Sequence, residues 1–151
     1  MTDEKKLLEA QQAVLGAMLI DEKTVGLVLQ EIVPDDFTTG AYRQVFLAFR
    51  AQFSSGEPCD AVTINARLGG KYDKLLMELI QVTPTAANVK SYMQLLKQQA
   101  RVSRLQGIAQ RMQDTDDEDD LRGLVNEANA QLVERPGLRV VDMPAALTQF
   151  Y

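Results

Sequence analysis

The feature that most constrains the fold is a long helical pattern over residues 86–113. At 1.5 Å per residue such a helix would be roughly 42 Å long, which is more than a small domain needs. The apolar residues of its second half recur at heptad spacing, and they are Leu95, Val102, Leu105, Ala109 and Met112. Heptad spacing is typical of a helix that packs along a narrow contact with another helix. The pattern therefore predicts that this helix leaves the compact part of the protein and pairs with a second one.

A second helical pattern, over about residues 120–134, supplies that partner after an acidic turn. Its apolar stripe consists of Leu121, Leu124, Val125, Ala128 and Leu132. Two antiparallel helices with narrow apolar stripes form a helical hairpin, and two helices alone bury too little to be stable. The hairpin must therefore self-associate or pack on the rest of the chain. We predict an oligomer interface made of Val102, Leu105, Met112, Leu121, Leu124, Val125 and Ala128.

Residues 4–85 carry shorter helical patterns and little strand alternation, so the expected fold is all-α. Tyr42, Val45, Phe46, Phe49 and Phe53 form one predicted stripe, and Val62, Ile64 and Leu68 are predicted to face inward. Gly16 would let a neighbouring helix approach closely. Asp21 and Asp60 are predicted helix caps. The predicted organisation is a compact multi-helix head (1–85), a hairpin (86–134) and a C-terminal linker segment with a short helix (135–151).

Composition narrows the classes of function. The net charge of −5 disfavours a general nucleic-acid binder. The single cysteine, Cys59, excludes an internal disulfide and fits a reducing compartment. No stretch approaches the roughly 20 apolar residues of a membrane span. We therefore expect a cytoplasmic protein that does not interact with membranes.

Catalytic patterns are weak. The sequence contains no histidine, the side chain most often used as a general base at neutral pH. The stretch "NARLGGKY" differs from a phosphate-binding loop at its first glycine and at its hydroxyl position, so Gly69 or Gly70 is better interpreted as ending a helix. Asp35 and Asp36 in "VPDDF" are interpreted as turn residues, although two adjacent carboxylates could also act as an acid–base pair. We expect no catalytic, cofactor-binding or metal-binding residues.

Two charged stretches remain open to more than one interpretation. The acidic run 114–120 suits a helix N-terminus, where carboxylates oppose the positive end of the helix dipole, but it could also bind a cation or a basic partner. Lys97, Arg101, Arg104 and Arg111 share one face of the long helix. This basic stripe could contact a nucleic-acid backbone, or it could be solvated or paired with acidic residues.

Five ordered stretches resemble one known family. They are "EAQQAVLGAMLID" (9–21), "VPDDF" (33–37), "YRQVFLAF" (42–49), "GEPCDAVTI" (56–64) and "VTPTAANVKSYMQLLKQQARVSRL" (82–105). Their order and spacing are similar to those of the N-terminal domain of DnaB-type replicative DNA helicases, over about residues 7–135. The family's head-plus-hairpin architecture agrees with the pattern described above.

The resemblance implies a role in DNA replication. In that family the full-length protein is a hexameric ring that unwinds DNA with ATP. Its N-terminal domains pair through their hairpins, form a collar, bind primase and influence loading by a helicase loader. ATP and Mg²⁺ would belong to a C-terminal domain outside this sequence, so this chain alone is expected to be no enzyme and to have at most weak or indirect DNA contact. "VVDMPAALTQFY" (140–151) resembles the family's linker helix.

Some residues depart from the family pattern. Tyr42 stands where relatives often have histidine, and the segment 65–76 looks shorter than usual. These departures indicate a divergent member of a prophage or plasmid type. An alternative is a stand-alone regulator that mimics the collar and binds a host helicase or primase. A reading frame that continues past Tyr151 into a phosphate loop would identify a helicase instead.

Overall fold

The computed structural model describes residues 3–133, and all of the regular structure in that range is helical. A short 3₁₀ turn, Pro34–Asp36, lies between the second and third of seven α-helices. The helices are α1 (Asp3–Ile20), α2 (Thr24–Glu31), α3 (Gly40–Ser54), α4 (Ala61–Arg67), α5 (Asp73–Val82), α6 (Val89–Gln113) and α7 (Glu118–Val133). The predicted all-α fold is confirmed. The predicted linker segment, 135–151, lies outside the described residues.

The described chain divides into two compact units inside α6, between Ala100 and Arg101. We call residues 3–100 the head unit and residues 101–133 the hairpin unit. The first half of α6 belongs to the head unit because Val89, Met93 and Leu96 are buried in its core. The sequence pattern assigns residues 86–100 to the hairpin, since periodicity shows that a helix continues but not where its packing partners change.

Helix α1 packs against α2, α3 and α5 in the head unit. A close approach to α5 occurs at Gly16, where an added Cβ atom would lie 1.8 Å from the Oγ1 atom of Thr83 and 2.8 Å from the carbonyl oxygen of Leu79. Neither separation is possible for real atoms, so only glycine allows α5 to lie this close. The predicted role of Gly16 is therefore confirmed.

Aromatic side chains fill the space beneath α3. The rings of Phe37 and Phe46 have centroids 4.9 Å apart, and both residues are fully buried together with Phe49. The predicted stripe is confirmed from Tyr42 to Phe49 but is wrong at Phe53, which is 51% exposed. Phe53 lies on the last turn of α3, where the helix has passed the edge of the core.

Helix α4 shows a similar error at Val62. This side chain is 78% exposed, whereas Ile64 is fully buried. Residues two apart on an α-helix point about 200° apart, so Val62 and Ile64 cannot both face the core. The prediction that Val62 faces inward is therefore wrong.

The joint between α2 and α3 is made by "VPDDF". Asp36 is buried, and its Oδ2 atom accepts a hydrogen bond from the backbone N–H of Val33 at 3.1 Å. Thr39 caps α3 by accepting the N–H of Tyr42 at 3.1 Å. The hydroxyl of Tyr42 in turn accepts a hydrogen bond from the Gln12 amide of α1 at 2.9 Å. These contacts support the interpretation of the stretch as a structural turn.

The two predicted aspartate caps have different outcomes. Asp60 caps α4 as predicted, since its Oδ1 atom accepts the N–H of Thr63 at 2.8 Å. The prediction for Asp21 is wrong, because Lys23 is the N-cap of α2 and makes no side-chain capping bond. Asp21 instead stabilises the preceding turn by accepting the N–H of Lys23 at 3.0 Å. The residue that the Asp21 side chain binds is therefore the one immediately before α2.

Candidate interaction surface on the helical hairpin

The second half of α6 contributes one buried residue, Ile108, to the hairpin unit. Ile108 is 1% exposed and is the one buried hydrophobic side chain that the structure describes between residues 101 and 132. The heptad pattern overlooks it, because that pattern runs through Leu105 and Ala109 on either side. Ile108 belongs instead to the row Arg101, Arg104, Ile108, Arg111 and Thr115. Because three of its five members are arginines, this row is not found when only apolar residues are counted.

Two arginines of this row link the helices of the hairpin. The Nε atom of Arg104 donates a hydrogen bond to Gln131 at 2.7 Å. Arg111 and Glu127 form an ion pair with atoms 2.5 Å apart. Both arginines therefore act between α6 and α7, which agrees with the pairing interpretation of the basic stripe.

The other two members of the stripe lie in different surroundings. Lys97 belongs to the head unit, where its ammonium group is 2.6 Å from a carboxylate oxygen of Glu31 on α2. Arg101 is half-buried at the start of the hairpin unit. The four predicted nucleic-acid contacts are thus distributed over both units, and three of them bind neighbouring side chains. These four residues are Lys97, Arg101, Arg104 and Arg111. Direct contact with a nucleic acid stays a prediction.

The residues of the predicted oligomer interface are incompletely covered by the hairpin. Val102, Leu105, Met112, Leu121, Leu124 and Ala128 are half-buried. Val125 is 44% exposed, and Leu132, on the same helix, is 45% exposed. Isolated apolar side chains on a surface are ordinary, but a continuous apolar stripe indicates a surface that binds another protein. The interface itself stays a prediction, and Leu132 extends it toward the end of α7.

The acidic run begins α7. The Oδ2 atom of Asp117 accepts the backbone N–H of Asp120 at 3.0 Å, and Glu118 forms an ion pair with Arg122 at 2.6 Å. Glu118, Asp119 and Asp120 occupy the first turn, where they oppose the positive end of the helix dipole. The described residues contain no group of three or more acidic, histidine or cysteine side chains that could hold a metal ion. The run is therefore accounted for as a helix start.

The glycine pair that resembles a phosphate loop ends α4. Gly69 and Gly70 have φ angles of +69° and +74°, and their N–H groups donate to the carbonyls of Ala66 and Asn65 at 3.0 Å each. This pair of bonds is the Schellman motif that commonly terminates helices. The interpretation of "LGGKY" as a helix end is confirmed.

Cys59 lies buried where the chain enters α4. Its backbone N–H donates to Glu22 at 2.8 Å, and its thiol is within 3.6 Å of the carbonyl oxygen of Glu57. Burial raises the pKa of the Cys59 thiol, and the nearby carboxylates of Glu22 and Asp60 raise it further. A thiol kept protonated is a poor nucleophile, so this cysteine contributes packing rather than chemistry.

These observations define a class of protein: an all-α domain, in which a well-packed head unit precedes a helical hairpin with a half-exposed apolar surface. None of the helices described between residues 3 and 133 is long and apolar enough to cross a membrane. The chain belongs to the family of DnaB-like helicase N-terminal domains, whose family model matches residues 3–98.

Individual relatives agree with this assignment. The chain is 33% identical over 138 residues to the replicative DNA helicase DnaB of Geobacillus stearothermophilus, a match that covers 84% of this chain and 30% of that protein. The crystal structure of the N-terminal domain of DnaB helicase from Mycobacterium tuberculosis matches with a TM-score of 0.69 and 32% identity, over 85% of this chain and 96% of that one. The resemblance seen in the sequence is confirmed.

A third match concerns the fold alone. A DnaB-like replicative helicase, solved in a study of its interactions with primase, has a TM-score of 0.67 and 19% identity, over 93% of this chain and 35% of that one. This chain thus spans about a third of the full-length helicases it matches.

Proposed function

We propose that this chain is an assembly and partner-docking domain of a replicative DNA helicase, acting in the cytoplasm. Its hairpin unit would pair with the hairpin of a second copy, in a hexamer when the protein is full-length. The role needs no cofactor of its own, and ATP and Mg²⁺ would serve an ATPase domain elsewhere in such a helicase.

One observation carries this proposal. Between residues 101 and 132, the part of the hairpin unit whose side chains the structure describes, Ile108 is the single buried hydrophobic side chain, yet half-exposed ones form a stripe on both helices. A hairpin of two helices is too thin to enclose a core. In a stable bundle of this type, four helices surround the core. A second hairpin placed on the stripe would supply the two missing helices.

Docking of a primase rests on similarity. The structure of the DnaB-like helicase in the third match was described together with the interactions of that helicase with primase. A collar of paired hairpins would offer a primase a composite surface made by two copies. We extend the proposal to a helicase loader, because the family that the sequence resembles uses this domain to influence loading. Binding of purified primase to the assembled chain, and its loss when assembly is lost, would test this extension.

Sedimentation velocity of the full 151-residue chain tests the assembly. We expect a concentration-dependent increase in sedimentation coefficient that Leu124→Glu abolishes, because a buried charge at the centre of the stripe would lack a partner. Val62→Glu is the matched control, since Val62 is 78% exposed on the head unit. It should assemble as the wild type does. A wild-type chain that stays monomeric at high concentration, or equal loss in both variants, would refute the proposal.

A further inference from the structure

A cleft in the head unit differs in charge from the rest of the chain. It has a volume of about 520 Å³ and lies between the start of α3, the end of α4 and the loop before α5. Its walls include the small residues Gly40 and Ala41 and the polar residues Gln44, Arg67, Lys71 and Tyr72. Two of its lining residues are cations and none is acidic, although the chain carries a net charge of −5. Such a cleft concentrates positive potential and attracts anions.

The position of Arg67 is fixed by the protein. Its Nε atom donates to the Oε1 atom of Gln52 at 2.5 Å, and the Gln52 amide donates to the carbonyl oxygen of Pro58 at 2.8 Å. Gln52 is only 6% exposed, so it anchors the guanidinium from the core side. Arg67 also forms an ion pair with Glu57 at 3.4 Å, and Glu57 lines a neighbouring cavity and not this one. A cation held in place before a ligand arrives loses less entropy on binding.

Lys71 supplies the second charge. Its ammonium group lies over the ring of Tyr72, 5.4 Å from the ring centroid, which restrains an otherwise flexible side chain. Gln44 and Tyr72 add neutral hydrogen-bond donors to the same walls. A Cβ atom at Gly40 would meet no atom within 4 Å, so the opposite wall leaves the cleft open.

We propose that this cleft binds the phosphate groups of a small polyphosphate or nucleotide. A guanidinium, an ammonium and neutral donors in one cleft are the groups that proteins use to hold phosphate oxygens. Two cations suit a multiply charged phosphate better than a single carboxylate. The volume lies within the range of small-molecule sites, about 300–1,000 Å³. The binding is independent of the assembly role, since the cleft lies wholly in the head unit.

Isothermal titration of the full chain at constant ionic strength tests the proposal, with inorganic pyrophosphate in one arm and adenosine diphosphate in the other. We expect Lys71→Gln to weaken both at least about tenfold, because a charge-assisted hydrogen bond contributes more than one factor of ten. Lys74→Gln is the control, because it removes the same charge from the first turn of α5, outside the cleft lining. It should bind like the wild type.

The two arms distinguish the ligand. Tighter binding of adenosine diphosphate assigns the site to nucleotides, and equal affinity assigns it to the polyphosphate part; both results support the cleft. Arg67→Lys keeps the charge but loses the planar fork, so it should weaken the binding of pyrophosphate. Absence of binding at millimolar pyrophosphate, or equal weakening by Lys71→Gln and Lys74→Gln, would overturn the proposal.

Discussion

The head unit and the hairpin unit have the same secondary structure but very different cores. Six helices contribute buried hydrophobic side chains to the head unit, from Leu7 on α1 to Ala100 on α6. In the hairpin unit the described residues bury Ile108 alone. A layer of helices becomes stable when its apolar stripe is covered by another layer. The head unit completes that requirement internally, whereas the proposed assembly would complete it for the hairpin unit with a second copy.

Polar contacts follow the same contrast. In the head unit Gln11 is fully buried, accepts the N–H of Thr38 at 3.0 Å and donates to the carbonyl oxygen of Leu7 at 3.2 Å. In the hairpin unit the Arg104–Gln131 bond is only partly buried, and the Arg111–Glu127 pair is exposed. Buried bonds specify one arrangement of the chain, whereas exposed pairs contribute little and leave the hairpin free to adjust to a partner.

The largest expected effect is in the head unit, at Gly16. Gly16→Ala should lower the free energy of unfolding by an amount at the upper end of about 1–3 kcal/mol, because the new methyl group must separate α1 from α5. Thermal unfolding of the full chain followed by circular dichroism measures it. Gly107→Ala is the matched control, since a Cβ atom there meets nothing within 4 Å. Alanine at Gly107 should raise helix stability, and the same sign at both glycines would contradict the close approach.

Ile108→Ala should destabilise the hairpin unit by about 2 kcal/mol, near the low end for truncating a buried isoleucine, because its surroundings are only partly closed. Amide hydrogen exchange in α7 should become faster, whereas exchange in α1 should not change. The neighbouring Ala109, exposed on α6, offers a control through Ala109→Ser. If Ile108→Ala accelerates exchange in α1 and α7 equally, the two units do not unfold separately.

Arg104→Gln should have a smaller effect, about 1 kcal/mol, because it removes a partly buried polar link between α6 and α7. The pairing interpretation predicts faster exchange in α7 and no change in binding to single-stranded DNA at low salt. Arg122→Gln, which removes an exposed pair within α7, is the control. Salt-dependent DNA binding that disappears with Arg104→Gln would instead support the nucleic-acid interpretation.

The smallest effect concerns pH. Because the pKa of the Cys59 thiol is raised in the folded chain above its ordinary value of 9.0, the unfolded chain releases this proton first as pH rises. The contribution of Cys59 to stability is complete below that value and is lost as pH rises through the folded-state pKa. Urea unfolding at pH 8 and pH 10 should therefore show a larger fall for wild type than for Cys59→Ala. Equal falls in both proteins would contradict a raised pKa.

The sequence predicted the helices well because each helix of the head unit has one face that meets the core. The predicted burial was wrong for side chains that do not meet the core. These are Phe53, beyond the edge of the core, and Val62, on the outer face of α4. The sequence identified the hairpin from its heptad spacing but not Ile108, because the row containing Ile108 is otherwise charged. The pairs Arg104–Gln131 and Arg111–Glu127 join residues far apart in the chain, so only the geometry of the turn brings them together.

The most direct test of the contrast between the two units is hydrogen exchange of the full chain at increasing protein concentration. If the hairpin unit is completed by a second copy, protection of the α7 amides should rise with concentration while protection of α1 stays constant. Leu124→Glu should remove the concentration dependence and leave α1 unchanged. Protection of α7 that is high and equal at all concentrations of the monomer would contradict the account, because the hairpin would then be stable without a partner.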